Sequence, residues 1–225
     1  GFQKIAELQR SVWQAPMLLL SLTTFLSIVV GGYFKARAAM MGTAPLPMNF
    51  QYWTPEMQQN YYQAQQAMQG PVFVYIIPLV GGLVSLWLGW LILAGILHLI
   101  STLFGGRGSL GGAFNVAGFA LLPFAVRDVL RLIFIIITRQ GITSPGLSGF
   151  ASGAGFAAQL LSHLDIFLIW HILLLIIGLA AADELPHRKA ALSAVSSVVL
   201  IMLAQAGLGA LGANLGGMAV QRPFF

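Results

Sequence analysis

The stretch AFNVAGFALLPFAVRDVLRLIFIIIT, residues 113–138, decides how the rest of the chain is read. It is apolar over enough length to cross a bilayer, whose hydrocarbon core takes about 20 residues of helix. Yet it carries Pro123 and then Arg127, Asp128 and Arg131. Ionisable groups at membrane depth are costly unless paired or hydrated, so their presence marks a place that needs explaining.

Composition sets the solvent. Of 225 residues, 58% are hydrophobic and 8% charged, whereas a soluble domain carries about 25% charged residues. So few charges cannot cover a water-facing surface, and the bilayer must do so instead. The absence of cysteine removes disulfides, thiolate metal sites and cysteine nucleophiles together. The net charge of +5 comes from residues scattered along the chain, which excludes a nucleic-acid surface, where Lys and Arg gather on one face. The first residues show no signal-peptide cleavage pattern.

Outward from the central stretch, the pattern predicts an all-α fold. One membrane domain, 1–225, forms a five-transmembrane-helix bundle with an amphipathic helix in its first loop. Residues 1–14, with Lys4, Glu7 and Arg10 among apolar neighbours, read as an interfacial lead-in helix. Crossings are expected at 13–33, 71–104, 113–138, 156–182 and 190–211. Trp13 and Tyr33 bracket the first as interface aromatics. The loop 34–70 has an extended piece around Gly42, Pro45 and Pro47. Thr54-Pro55-Glu56 then gives an N-cap, a first-turn proline and a first-turn acid, and Met57, Tyr61, Ala64 and Met68 recur at helical spacing. Pro78 with Gly81-Gly82 predicts a bend in the second crossing. Gly82, Ser85 and Gly89 form a stripe that lets a neighbouring helix come close. Loop 139–155 is rich in Gly, Ser and Pro, DELPHRK (183–189) is a charged turn, and the tail from 212 carries Arg222.

Depth arithmetic links the charges. Measured from the loop between the third and fourth crossings, Arg131 lies roughly 10 Å in, Arg127 roughly 16 Å and Asp165 roughly 8–13 Å, at 1.5 Å per residue. Asp165 is therefore expected to pair with Arg131 or Arg127, while Asp128 and Arg131, three apart, can pair within their own helix. Such an intramembrane cluster either fixes helix register or binds a lipid headgroup or an anionic ligand, or forms a proton path. Pro123 frees the carbonyl of Phe119 just before the charges.

His98, His163 and His171 are candidate ligands for haem or a pigment, against the plainer reading of hydrogen-bonded core histidines. No HExxH, GxSxG or Walker pattern occurs, and Gly105-Gly106, Gly111-Gly112 and Gly153-x-Gly155 fall in interhelical turns. Neither an enzyme nor a cofactor or metal is expected.

Gly118-Phe119-Ala120-Leu121-Leu122-Pro123 resembles a stretch in the third crossing of Yip1-domain proteins. Leu164-Asp165-Ile166-Phe167-Leu168-Ile169-Trp170 is similar to another in their fourth, and it is followed by Gly178-Leu179 and a short basic turn. The resemblance runs from about Lys4 to Leu211. It implies a five-helix membrane protein with a cytoplasmic N-terminus, and it carries over Pro123, Asp165 and Trp170. Eukaryotic members are linked to vesicle traffic and to prenylated GTPases through cytosolic N-terminal segments. Here only about a dozen residues precede the first crossing, a form similar to the short prokaryotic branch.

The expected role is that of a non-enzymatic scaffold, assembly factor or accessory subunit of a membrane complex. Its partners would be membrane lipids and other membrane subunits or a second copy, with no nucleic acid. A small transporter or channel using the Arg/Asp cluster is the alternative, and a pigment- or haem-binding subunit the second alternative. With the N-terminus inside, Lys4, Arg10, Arg107, Arg188 and Lys189 lie on the inner side, and Lys35, Arg37, Arg139 and Arg222 on the outer. The C-terminus then lies opposite the N-terminus, in a prokaryotic cell membrane.

Overall fold

The computed structural model describes residues 12–40, 50–139, 146–150 and 155–221. The lead-in helix, the Gly42–Pro47 piece and Arg222 lie outside them. Among the described residues every regular element is helical: α1 (Gln14–Met40), α2 (Pro55–Met68), α3 (Ile77–Leu103), α4 (Leu110–Ala120), α5 (Leu122–Thr138), α6 (Phe156–Ser162), α7 (Ile166–Ala182) and α8 (His187–Gln221), with short turns between.

Among the described residues, three segments are long and apolar enough to cross a membrane: Gln14–Phe34, Val72–Leu103 and His187–Gly212. A fourth, Phe156–Ser162 plus Ile166–Ala182, qualifies if two helices bent by 66° count as one. The count is thus three or four, against the five read from sequence. The difference lies at 113–138. The chain breaks there at Leu121 into α4, of 11 residues, and α5, of 17. Neither piece alone reaches crossing length, and α5 holds all three charges.

The helix ends follow local chemistry. Ser109 caps α4, its hydroxyl accepting from Gly112 N at 3.1 Å. Thr54 caps α2 through Met57 N at 3.3 Å, with Pro55 and Glu56 in the first turn. α3 runs unbroken past Pro78 and Gly81-Gly82. The irregularity lies before it, where Val72–Ile76 widens into a π turn closed by Ile77 N on Val72 O. Proline has no N–H for the carbonyl four residues back, so the wider turn takes up the mismatch.

The described residues fall into two compact units. The first comprises Gly1–Leu20, Trp87–Arg127 and Ile142–Phe225. In it α7 packs on α4 and α8, and α6 packs on α8. Large and small residues are buried on these helices alike: Leu175 and Leu179 on α7, Ala113, Ala117 and Ala120 on α4, and Ala190 and Ala194 on α8. Lipid is as apolar as leucine, so close packing rather than water exclusion holds such helices together. Gly118 shows the same economy of size, since a Cβ there would stand 3.3 Å from Trp13 Cβ and 3.6 Å from Pro16 Cγ. Trp13 also stacks on Trp90 at 4.7 Å, and Trp90 donates its indole N–H to Phe114 O at 3.2 Å. Asn115 Oδ1 accepts from the backbone of Val12 and Trp13 at 3.0 and 3.1 Å, satisfying the two amides just ahead of α1.

The second unit comprises Ser21–Leu86 and Asp128–Gly141. Here α1 meets the start of α3 at Gly82, where a Cβ would lie 2.9 Å from Ile28 Cδ1. Phe50, Trp53, Tyr61 and Tyr62 cluster edge to face, pinned by Gln58 Nε2 donating to Phe50 O and Trp53 O. The rest of α2 is mostly exposed.

Candidate functional site

Two helix breaks come together in the first unit: the one at Leu121 between α4 and α5, and the one at 163–165 between α6 and α7. Asp165 sits at the second. Its extended backbone and side chain make it the N-cap of α7, with Oδ1 accepting from Leu168 N at 2.9 Å. The other oxygen, Oδ2, accepts from Arg127 Nη1 of α5 at 3.2 Å. One carboxylate thus starts a helix and neutralises a guanidinium from the neighbouring break. The helix dipole adds to both, because it favours negative charge at an N-terminus.

Arg127 reaches this position across Phe124, whose ring centroid lies 4.5 Å from the guanidinium carbon. Phe124 in turn rests on the His171 ring at 5.1 Å. His171 is buried, and its Nδ1 lies 2.6 Å from Ala120 O. A carbonyl only accepts, so the imidazole proton sits on Nδ1.

The break at Leu121, beside Pro123, explains why that carbonyl is available. The chain turns at Leu121, and Phe124 N donates to Leu121 O at 2.9 Å rather than to Ala120 O four residues back. Ala120 O loses its helical donor, and His171 of α7 replaces it. The carbonyl that Pro123 itself leaves without an N–H, four residues back, is that of Phe119. The signal for His171 was only its type and depth, and nothing near it in sequence names a partner 51 residues away.

The pair is partly sheltered, with side-chain exposures of 24% for Arg127 and 14% for Asp165. His163 caps the end of α6, half-buried, within electrostatic range of both. Asp128 and Arg131 belong to the second unit, where both are half-buried and both engage other groups. Pro123 is fully buried, whereas Trp170 stands 46% exposed on the outer side of α7.

The remaining candidates scatter. His98 lies on α3 near the far end of α7. Of the glycine stripe, Gly82 alone meets another helix; Ser85 is exposed, and Gly89 faces open space. The three histidines occupy separate places. Among the described residues no three His, Cys, Asp or Glu side chains gather as metal ligands. Sequence reading also missed Asp183, taken as part of a solvated turn but 1% exposed.

Apolar helices of crossing length, with charges neutralised where helices break, define a multi-pass integral membrane protein. The Yip1 domain family model matches residues 1–209, and the chain belongs to that family. No curated protein and no solved structure matches it. The two breaks fall at Pro123 and Asp165, positions on which the resemblance rested.

Proposed function

We propose that this Yip1-family protein works without catalysis, as a scaffold, assembly factor or accessory subunit that binds other membrane proteins through its helix faces. The observation carrying this reading is the fate of the polar groups at the breaks. Asp165 is divided between a cap and Arg127, and His171 is engaged by Ala120 O, so these groups serve the fold. Outward faces such as that of α3, with Val80, Val84 and Leu88 exposed and Gly81 and Gly89 in open space, suit lateral partners and lipid. Detergent extraction followed by native mass spectrometry tests this. Co-purifying subunits or a defined homo-oligomer are expected, and a bare monomer from every mild detergent counts against it.

On this reading there are five crossings: α4 with α5 forms the third, broken at Leu121, and α6 with α7 the fourth, bent at Asp165. The helix α2 lies along the membrane surface outside, and the N-terminus faces the cytoplasm of a prokaryotic cell. The chain contains no cysteine, so single cysteines report topology without background. Cysteines at Arg107 and Arg188 should label only from inside, and those at Asn60 and Ser148 only from outside. Arg107 and Ser148 labelling from one side removes the third crossing.

A small transporter is the second reading, favoured by one observation: a helix pair bent by 66° with a charged pair at the bend. Half-helices of this kind hold substrates in several transporter folds. Uptake into vesicles that is abolished in Asp165→Asn would favour it.

A further inference from the structure

The end of α7 carries a buried carboxyl that the site above does not use. Asp183 is 1% exposed, and neither side-chain oxygen has a hydrogen-bond partner. It lies under the turn after α3, against two glycines. A Cβ on Gly108 would collide with Oδ1, and one on Gly106 would stand 3.2 Å from Asp183 Cβ and 2.9 Å from Ser101 O. Backbone bonds tie the turn down: Gly106 N donates to Ser101 O at 2.8 Å and Arg107 N to Asp183 O at 3.1 Å.

The neighbouring groups decide the protonation state. The Ser101 hydroxyl beside the carboxyl bonds to His98 O at 3.1 Å and keeps lone pairs that can accept. Buried His98 Nδ1 has no hydrogen-bond partner either. Lys189 of α8, the nearest ammonium, donates to Phe104 O at 2.9 Å and so closes the end of α3. The Arg107, Glu184 and His187 side chains are exposed. An ionised carboxylate here is buried with no hydrogen bond to either oxygen, whereas a neutral carboxyl brings its own O–H.

We propose that Asp183 is a proton-binding site, whose bound proton latches the Gly105–Gly108 turn onto the end of α7. Releasing the proton to water leaves a carboxylate that draws Lys189 and Arg107 toward it, so Lys189 leaves Phe104 O and the turn opens. Burial pushes the Asp183 carboxyl above its ordinary range, with Ser101 and then His98 opposing. A raised carboxyl stabilises the closed turn fully below the ordinary carboxylate pKa. That stability is lost as pH rises through the raised value.

Two measurements on the purified full chain test this. Infrared spectroscopy at neutral pH should show a protonated-carboxyl band that shifts in heavy water and is missing from Asp183→Asn. Identical spectra for the two proteins overturn the proposal. A single cysteine in place of Leu110 should label increasingly fast as pH rises, beyond the rise from thiol ionisation alone, by roughly tenfold per pH unit at most. The same cysteine on the Asp183→Asn background, which imitates the neutral acid, should show only the thiol's own dependence. Equal pH profiles on both backgrounds likewise overturn it. Should Asp183→Asn fail to fold, the wild-type band alone decides: its presence at neutral pH and loss in alkali support the latch, and its absence refutes it.

Discussion

His171 Nδ1 donates to Ala120 O at 2.6 Å, joining α7 to the last residue of α4 where Pro123 has interrupted the helix. The bond answers the problem that a proline poses in a low-dielectric medium. A carbonyl stripped of its helical donor has no water to turn to, so another helix must supply the proton.

Replacing His171 by phenylalanine keeps the ring and its contact with Phe124 but removes the donor. An orphaned buried carbonyl costs about 1–3 kcal/mol, so the thermal midpoint in detergent should fall by several degrees. Asparagine, with an amide N–H, should recover part of the loss. Equal stability of wild type and His171→Phe would show that Ala120 O has another donor.

Asp165 has two tasks that substitutions can separate. Asparagine still caps a helix but carries no charge, and alanine does neither. The cap is worth about 1 kcal/mol, and stranding a sheltered Arg127 costs about 3 kcal/mol, discounted for its partial exposure. Stability should therefore rank wild type, Asp165→Asn, Asp165→Ala. Exchanging the charges, with Arg127→Asp and Asp165→Arg, should fail to restore it, because arginine cannot accept from Leu168 N. Full recovery in denaturation of the double variant would show that the cap contributes nothing.

Gly82 and Gly89 lie two helical turns apart on α3, one against Ile28 and the other open. Gly82→Leu drives a side chain into Ile28 and should lower folded yield, since overpacking costs about 1–3 kcal/mol. Gly89→Leu should leave the isolated protein as stable as wild type and weaken only recovery of co-purifying partners. Loss of stability at Gly89 would place an intramolecular neighbour there.

Gly118 packs against Trp13 and Pro16 with little space for a Cβ. Alanine should cost well under the penalty of leucine, which must displace Trp13 from Trp90. Trp fluorescence should report that displacement as a shift absent from Gly118→Ala.

Much of the helical pattern was legible because it rests on local chemistry. Thr54-Pro55-Glu56 and the uncharged runs of the first two crossings need no tertiary information. Asp165 ahead of an apolar run is an N-cap signal, so the break at 163–165 was readable, yet the span was read as continuous. Depth counting allowed Asp165 two arginines, and the structure pairs it with Arg127. What sequence could not convey was contact between distant segments. DELPHRK looks solvated in every residue, but Asp183 is buried because Gly106 and Gly108 have no side chains to hold it off. His171 reads from sequence as a hydrogen-bonded core histidine before it reads as a ligand, but its partner carbonyl lies in another helix and could not be named.

Asn115 bears on the order of events during synthesis. It supplies the acceptor for Val12 and Trp13 across 103 residues. At about 5–20 residues per second, the ribosome delivers it on the order of 5–20 s after the segment it completes. Until then the two amides ahead of α1 lack that acceptor. A chaperone or insertase holding that end through the interval would hand it over when Asn115 emerges.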